Sequence, residues 1–479
     1  MYTPIKEIPS IVRNLRDSFF SGITKNTDYR RQQLGSLKRF LEERESDLLE
    51  SVWNDLHKHE VEVISAEIAP ILGEIEFMLK NLDKLSKTTT VKPQYVMNAI
   101  DKCTVRKEPK GVVLIIGSWN YPIQLLLLPI VGAIAAGNCV VLKPSEVAAH
   151  TSEFIAKVLP QYLDTKTVSV VQGGVPETTA LLAEEFNHIF YTGNGAVAII
   201  APDANVEVAA SRILWGKFYN AGQTCISPDY VLIPKSQVDT FINASKKILE
   251  ERFGRNPQES DSYCRIVSER RFDAVKSFID NLDSSKIVIG GETDKKDLYI
   301  APTIVYPIAS NEDGLMDEEI FGPVLPIVPI EDIDEAIRIV NSKSTPLALY
   351  IYTEEKATYE KILDNTQSGG ACINDVLMHV QELALPFGGL GPSGMGSYHG
   401  AKSFETFSHE RATMIKSSGL EGAMNARYPP YNNSKKILFT LLTVGLPDGF
   451  AAKIKTVFRA IGAARHIFLS KKKEQPIQL

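Results

Sequence analysis

The sequence predicts an α/β fold: a doubly wound parallel sheet followed by a second α/β unit. Three observations carry that expectation. Short apolar runs, GVVLIIG (111–117), NCVVLK (138–143), TVSVV (167–171) and NHIFYT (187–192), alternate with helix-length segments. The runs lack the polar alternation of a half-exposed strand, which suits parallel strands buried on both faces. Asn120, Lys143, Gly173, Gly174 and Gly193 each fall just past the end of a run, where such sheets bind ligands.

The elements follow in order. Residues 30–82 read as helix. Leu34, Leu37, Phe40 and Leu41 make one face, and Ile64, Ile68, Ile71, Ile75, Leu79 and Leu82 make another. Pro70 is expected to kink or interrupt the second helix. Lys84 to Gln94 is rich in Ser, Thr and Lys and reads as a loop or the start of an exposed arm. Between the four strands, 122–136, 147–160 and 176–186 read as helices. Beyond residue 229 the second unit has strands at 230–234 and 347–353, helices near 236–253, 268–282 and 331–341, and a glycine-rich loop from Gly388 to Gly400.

Gross composition narrows the function classes. The chain has 479 residues, more than one ordinary core accommodates, so two or more domains are expected. A net charge of −6 argues against general nucleic-acid binding. The five cysteines are scattered, odd in number and without a CxxC pair, which fits a reducing compartment and gives neither a disulfide framework nor a metal site. No run reaches the ~17–25 apolar residues that span a bilayer, and the N-terminus carries no basic-then-apolar signal segment.

The chain is organised around Ser211 to Tyr230. Leu214, Trp215 and Phe218 recur at helical spacing, then Asn220, Ala221 and Gly222 break the pattern. Cys225 follows in the turn. A cysteine there has its sulfur open to a ligand and a backbone N–H free for an oxyanion, and local donors are expected to lower its pKa. By itself the stretch favours a small buried hydrophobe, the commonest state of a lone cysteine.

The wider chain decides between them. GQTC with its preceding WGKF and following PDY resembles the nucleophile loop of aldehyde dehydrogenases. LIIGSWNYP (114–122), VLKPSE (141–146), GGVPET (173–178), EEIFGPVLP (318–326) and PFGGLGPSGMGSYHGAKSF (386–404) resemble that family in its order. The SWNYP, RYPP and SYHG details are similar to its class 3, fatty-aldehyde branch. The resemblance runs from about Arg30 to Pro430. It implies oxidation of apolar aldehydes to acids with NAD, or NADP. It makes Cys225 the nucleophile and Asn120, otherwise a turn residue before Tyr-Pro, the oxyanion donor. Lys143 and Glu146 would bracket the adenosine, although Lys143–Glu146 also reads as a helix-entry signal. Gly173 and Gly193 would approach the phosphates, with 193–198 as a glycine-rich helix start. Glu319 and Phe321 would contact the nicotinamide ribose and ring, although Glu319 by itself belongs to a solvated acidic run. The resemblance further implies a homodimer, paired through a β-arm after residue 84. The expected division is 1–85 with 104–198 for the cofactor, 199–385 for catalysis, 86–103 with 386–430 for the arm and closing loop, and a tail at 431–479.

One departure matters. The family has a helix, a strand and a Glu-Leu-Gly-Gly-Lys motif between NHIFYT and the cysteine helix. Here Ala198 runs straight into Ile199-Ile200-Ala201-Pro202-Asp203. On the order of 20 residues are absent, and with them the family's usual general base. An active dehydrogenase and an impaired member serving as a binding or subunit partner are therefore both expected readings. In the tail, KILFTLLTVGL (436–446) is followed by Lys453 to Leu469. There Ile454, Val457, Phe458, Ile461 and Phe468 share a helical face, with basic residues interleaved. That pattern suits lying on an anionic membrane surface, on the cytoplasmic side of an intracellular membrane, or docking onto the protein's own body.

Overall fold

Four strands form where the apolar runs predicted them: β1 (Val112–Ile116), β2 (Cys139–Lys143), β3 (Val168–Val170) and β4 (His188–Phe190). They make one parallel sheet in the order β3-β2-β1-β4. The computed structural model describes residues 2–192, 195–312, 314–420, 427–444 and 448–470. It divides into a first unit, Met1–Leu85 with Pro109–Ser408, and a second, Ser86–Glu108 with His409–Leu479.

In the first unit the sheet is covered on both faces. Val113, Ile115, Val140 and Leu142 join the main core, while Val112, Leu114, Cys139 and Val141 meet Ile8, Val12 and Leu15 of helix α1 (Ile8–Ser21). Helix α1 lies upstream of the segment that the sequence marked as helical. The predicted helical region forms α2 (Thr27–Glu43), α3 (Glu45–Leu56), α4 (Glu60–Val63) and α5 (Ala69–Ser86). The α-helical run is interrupted just before Pro70, near where the sequence placed a break. A single π-helical segment, Ile64–Ile68, precedes it and the helix continues through it. Near the start of α5 the missing proline N–H removes little, and a π turn is a common device beside functional sites. Helix α6 (Gln124–Ala136) is buried along its whole length, as a helix apolar all round must be. Helices α7 (Ala149–Val158) and α8 (Val175–Leu182) complete the crossovers.

A seven-stranded sheet builds the rest of this unit. Its strands are β5 (Ala196–Ile200), β6 (Pro228–Pro234), β7 (Ile287–Ile289), β8 (Thr303–Val305), β9 (Val324–Ile330), β10 (Ala348–Tyr352) and β11 (Gly370–Ile373). The order is β11-β10-β5-β6-β9-β8-β7, parallel except for the β7–β8 pair. Here the structure corrects an expectation. Gly193 lies outside the described residues, but Ala196–Ala198, expected at a helix start, are in strand β5. All five of its residues are buried, paired with β10 on one side and β6 on the other. Partners on both sides of an apolar run outweigh the weak GxGxxG pattern. Helix α9 (Val206–Phe218) then leads into the cysteine turn. The loop from Gly388 to Gly400 contains one short 3₁₀ turn and belongs to the first unit.

The second unit has a three-stranded sheet, with Thr89–Val91 antiparallel to Lys102–Pro109 and Ser408–Ile415 on its other side. Helices Asn433–Val444 and Phe450–Ser470 follow. Among the described residues no helix is long and apolar enough to cross a membrane.

One buried side chain ties three elements of the first unit together. Asn138 accepts from the Gly111 N–H at 2.9 Å and donates to the carbonyls of Ala133 at 3.1 Å and Phe407 at 2.9 Å. Asn138→Ala removes these bonds and leaves buried groups unpaired, each worth about 1–3 kcal/mol. The expected loss is about 3 kcal/mol, read as a lower urea midpoint at unchanged slope. An unchanged midpoint would show that the tie carries no stability.

Candidate active site

The end of α9 turns through three consecutive left-handed residues, Asn220 (φ 53°), Ala221 (φ 51°) and Gly222 (φ 75°). For Asn and Ala this conformation is strained and needs support. The support is visible. The Asn220 N–H donates to Glu62 at 3.1 Å, and its side-chain amide donates to the carbonyls of Asn120 at 2.8 Å and Gln223 at 3.1 Å. The fully buried Gln223 side chain donates to the carbonyls of Asn220 and Arg265 and accepts from the Val267 N–H. At Gly222 a Cβ would stand 2.3 Å from the Gly322 carbonyl oxygen, so only glycine lets this turn touch the loop that carries Glu319 and Phe321.

The opposing wall is the turn between β1 and α6. Asn120 is buried, and its amide donates to the Gln223 carbonyl at 3.0 Å. One of its two N–H groups is thus spent on holding the cysteine loop. The Tyr121 hydroxyl bonds to the Thr224 hydroxyl at 2.7 Å. Under this turn sits Lys58, which donates to Glu67 at 2.7 Å and to the Asn120 carbonyl at 2.9 Å. The second Glu67 oxygen accepts from the Ile123 N–H at 2.9 Å. Both side chains of the pair are fully buried. Sequence reasoning missed Lys58, Glu67 and Gln223. The available signal was a carboxylate three residues after Ile64 and four before Ile71, inside an apolar stripe.

Cys225 lines a narrow cavity of 70 Å³ with Tyr121, Leu125, Ile226, Leu377 and Phe387. Its thiol does not have the lowered pKa expected from the sequence. Burial, then the Glu319 carboxylate, push it up to about 12, although its own N–H and that of Ile226 work the other way. Desolvation of a thiolate in an apolar cavity outweighs two backbone donors.

The predicted cofactor residues lie at the carboxyl ends of the first sheet's strands and on the Glu319 loop. Lys143 is buried and forms an ion pair with Glu146. A cation beside a carboxylate at a strand end is a donor and acceptor set that fits ribose hydroxyls. Gly173 has a packing reason as well. A Cβ there would come within 2.3 Å of Glu177, whose carboxylate accepts from the Gly174 N–H at the start of α8. Glu319 accepts from the Gly195 N–H at 3.0 Å, and burial followed by Asp229 raises its carboxyl to about 7. Phe321 takes a left-handed φ of 48° and sets its ring edge-on to Trp119 at 5.3 Å. The turn at 119–121, the cysteine turn and the 319–322 loop are thereby brought together. Among the described residues no cluster of three His, Cys, Asp or Glu could hold a metal.

Comparison with known proteins adds to this geometry. The model of the aldehyde dehydrogenase family matches residues 7–198 and 188–413. Aldehyde dehydrogenase family 3 member A2 of Pongo abelii is 44% identical over 448 positions, covering 88% of this chain and 91% of that protein. Because 88% of 479 residues is about 421, about 27 of those positions have no residue here. The mouse protein named aldehyde dehydrogenase, dimeric NADP-preferring, is 42% identical, covering 89% of this chain and 98% of that one. The substrate-bound structure of Staphylococcus aureus AldH superposes with a TM-score of 0.86 at 36% identity, over 91% of this chain and 99% of that one.

The raised thiol pKa is open to direct measurement. Alkylation of Cys225 by iodoacetamide should climb about tenfold per pH unit from pH 7 to 10, because the thiolate fraction keeps rising below its pKa. Peptide mapping at each pH reads this. A plateau near pH 8–9 would mean that the donors prevail over burial.

Proposed function

The chain belongs to the aldehyde dehydrogenase family and is an NAD(P)-dependent enzyme; from that premise we propose that it oxidises apolar, medium- to long-chain aldehydes through a thioester on Cys225. The carrying observation is that Cys225 lines an apolar cavity whose two polar walls are locked to each other through Asn120 and Gln223. The thiol adds to the carbonyl carbon, its proton leaves, and the second Asn120 N–H with the Cys225 N–H faces the oxyanion. Lys143 and Glu146 would hold the adenosine ribose, with Gly173 close by, and Glu319 and Phe321 would hold the nicotinamide half. Bound NAD(P)⁺ supplies the hydride acceptor that turns a thiohemiacetal into a thioester.

Hydrolysis is the weak step in this reading. The family match breaks and overlaps at 188–198, and about 27 aligned positions are unfilled. Both support a chain shortened next to Ala198, without the family's usual base. Glu319 is the remaining motif carboxylate. At about 7 its pKa is poised for base work near neutral pH, and its charge is felt at Cys225.

The second unit supports surface attachment and pairing. Phe450, Phe458 and Ile461 of the last helix are 81%, 71% and 58% exposed, among Lys453, Lys455 and Arg459. That apolar face suits an anionic membrane surface. The three-stranded sheet leaves Thr89–Val91 and Ser408–Ile415 as edges, which suits a homodimer joined by strand pairing.

Two outcomes follow. Rapid mixing with a medium-chain aldehyde and NAD⁺ should give one NADH per chain and then a stall. Cys225→Ala should abolish the burst, and the residual slow phase should quicken as pH rises through about 7, where Glu319 loses its proton. Sustained turnover at ~1–10³ per second would show that hydrolysis is not impaired. Separately, a chain ending at Pro430 should keep the burst but lose binding to anionic vesicles. Equal partitioning of full-length and shortened chains would remove the tail from this role.

A further inference from the structure

The segment ahead of α1 reaches the carboxyl end of the first sheet and is bonded there. The Thr3 N–H donates to the Gln172 carbonyl at 2.9 Å, and the Gln172 N–H donates back to the Thr3 hydroxyl oxygen at 3.0 Å. Gln172 lies just past strand β3, so the reciprocal pair fixes Thr3 beside a strand end. A 3₁₀ turn, Ile5–Glu7, follows and packs against α8 before the chain enters α1. The tether places the neighbouring residue, Tyr2, over Gly174. A Cβ built at Gly174 would meet the Tyr2 ring and hydroxyl at 4.0 Å and the Cγ of Glu146 at 4.0 Å. Tyr2 and Glu146 therefore flank one point above a backbone that carries no side chain. Glu146 is the residue that pairs with Lys143.

The surface around that point is apolar and open. Tyr2 is 56% exposed, Val175, next to Gly174, is 75% exposed, and Val147, next to Glu146, is 39% exposed. Single exposed apolar residues are ordinary, but several gathered around a polar pair at a strand end mark a ligand surface. The chemistry on offer is of two kinds. The Lys143–Glu146 pair supplies a donor and an acceptor for hydroxyls, and Tyr2 supplies an aromatic face. A nucleoside presents the complement of both, ribose hydroxyls on one part and a flat base on the other. Bases stack on aromatic side chains because every base has a π face. NAD and NADP each carry an adenosine.

We propose that Tyr2 is an aromatic wall of the adenosine subsite and stacks on the adenine of NAD(P). The proposal rests on the reading above in which Lys143 and Glu146 hold the adenosine ribose. Gly174 lets the nucleoside lie against bare backbone between the two flanking side chains. Val147 and Val175 cover the edges of the base. The Thr3–Gln172 bonds hold the wall in place before the cofactor arrives, so little ordering is needed on binding. The contribution falls on the adenine half alone. Tyr2 touches no reacting atom, so it acts on cofactor affinity and not on the chemistry at Cys225.

The test is calorimetric titration of the full chain with ADP-ribose, which carries the adenosine and needs no turnover. Tyr2→Ala should weaken binding about tenfold, the scale of one base stacked on one aromatic ring. Tyr2→Phe should keep the affinity of the unaltered chain. Tyr2→Leu, which keeps apolar bulk without a π face, should behave as Tyr2→Ala does. In Tyr2→Trp, ADP-ribose should quench indole fluorescence beyond any change in the unaltered chain, saturating at the calorimetric Kd. Tyr2 is exposed, so these variants should melt with the unaltered chain. Unchanged affinity in Tyr2→Ala would overturn the proposal, as would full affinity in Tyr2→Leu or no added quenching in Tyr2→Trp. Tighter binding in Tyr2→Ala would also overturn it, because the ring would then occupy the place of the base. Glu146→Ala is scored separately. Weaker binding in Glu146→Ala with none lost in Tyr2→Ala sinks the aromatic wall alone, and the reverse result sinks the ribose role of Glu146 alone. A full chain that binds no ADP-ribose sinks both.

Discussion

Lys58 and Glu67 face each other at 2.7 Å with no solvent on either side chain. Desolvating two charges is recovered only when geometry is good and the remaining donors and acceptors are satisfied. Both conditions hold. Lys58 also donates to the Asn120 carbonyl and lies 4.1 Å from the centre of the Tyr121 ring, and Glu67 also accepts from Ile123. The pair thus fixes the turn that presents Asn120. Asn120 fixes Gln223, and Gln223 fixes the left-handed turn before Cys225. Removing one partner of such a pair typically costs about 3–5 kcal/mol, and here the loss would fall on the walls of the cysteine cavity. The π segment that carries Glu67 gives the helix the local offset that brings a carboxylate under the turn.

Burial explains the electrostatics of the site as a whole. It pushes Cys225 up to about 12 and Glu319 and Glu62 to about 7. At neutral pH the resting thiol keeps its proton. The same burial that makes the thiol slow to ionise makes the carboxylates better bases. The apolar cavity that suits an aldehyde chain is therefore also what sets the protonation states around it. Glu319 is held by the Gly195 N–H, so the residue nominated as a base is tied to the start of β5, the strand that follows the suspected gap.

The second sheet takes β5 between β10 and β6, so its centre is continuous. The first sheet ends on β4, and the polar atoms of Tyr398, His399 and His379 are buried without a hydrogen-bond partner among the described residues.

The sequence by itself determined the first sheet, its crossover helices and the identity of the cysteine turn. Those features follow from local patterns: apolar runs at 111–117 and 138–143, glycine at turns, and ordered motifs. It also raised the expectation of a segment missing after Ala198, because motif order and spacing are linear quantities. Tertiary structure decided what depends on meeting distant residues. Ala196–Ile200 became a strand because two neighbours pair with it, although GxGxxG suggests a helix start. Cys225 lost its expected low pKa because the cavity around it is assembled from segments as far apart as Tyr121 and Phe387. Lys58 and Glu67 gained their role only when the fold buried both side chains. In each case the deciding quantity was burial or pairing across the chain, and neither is encoded within the reach of a local pattern.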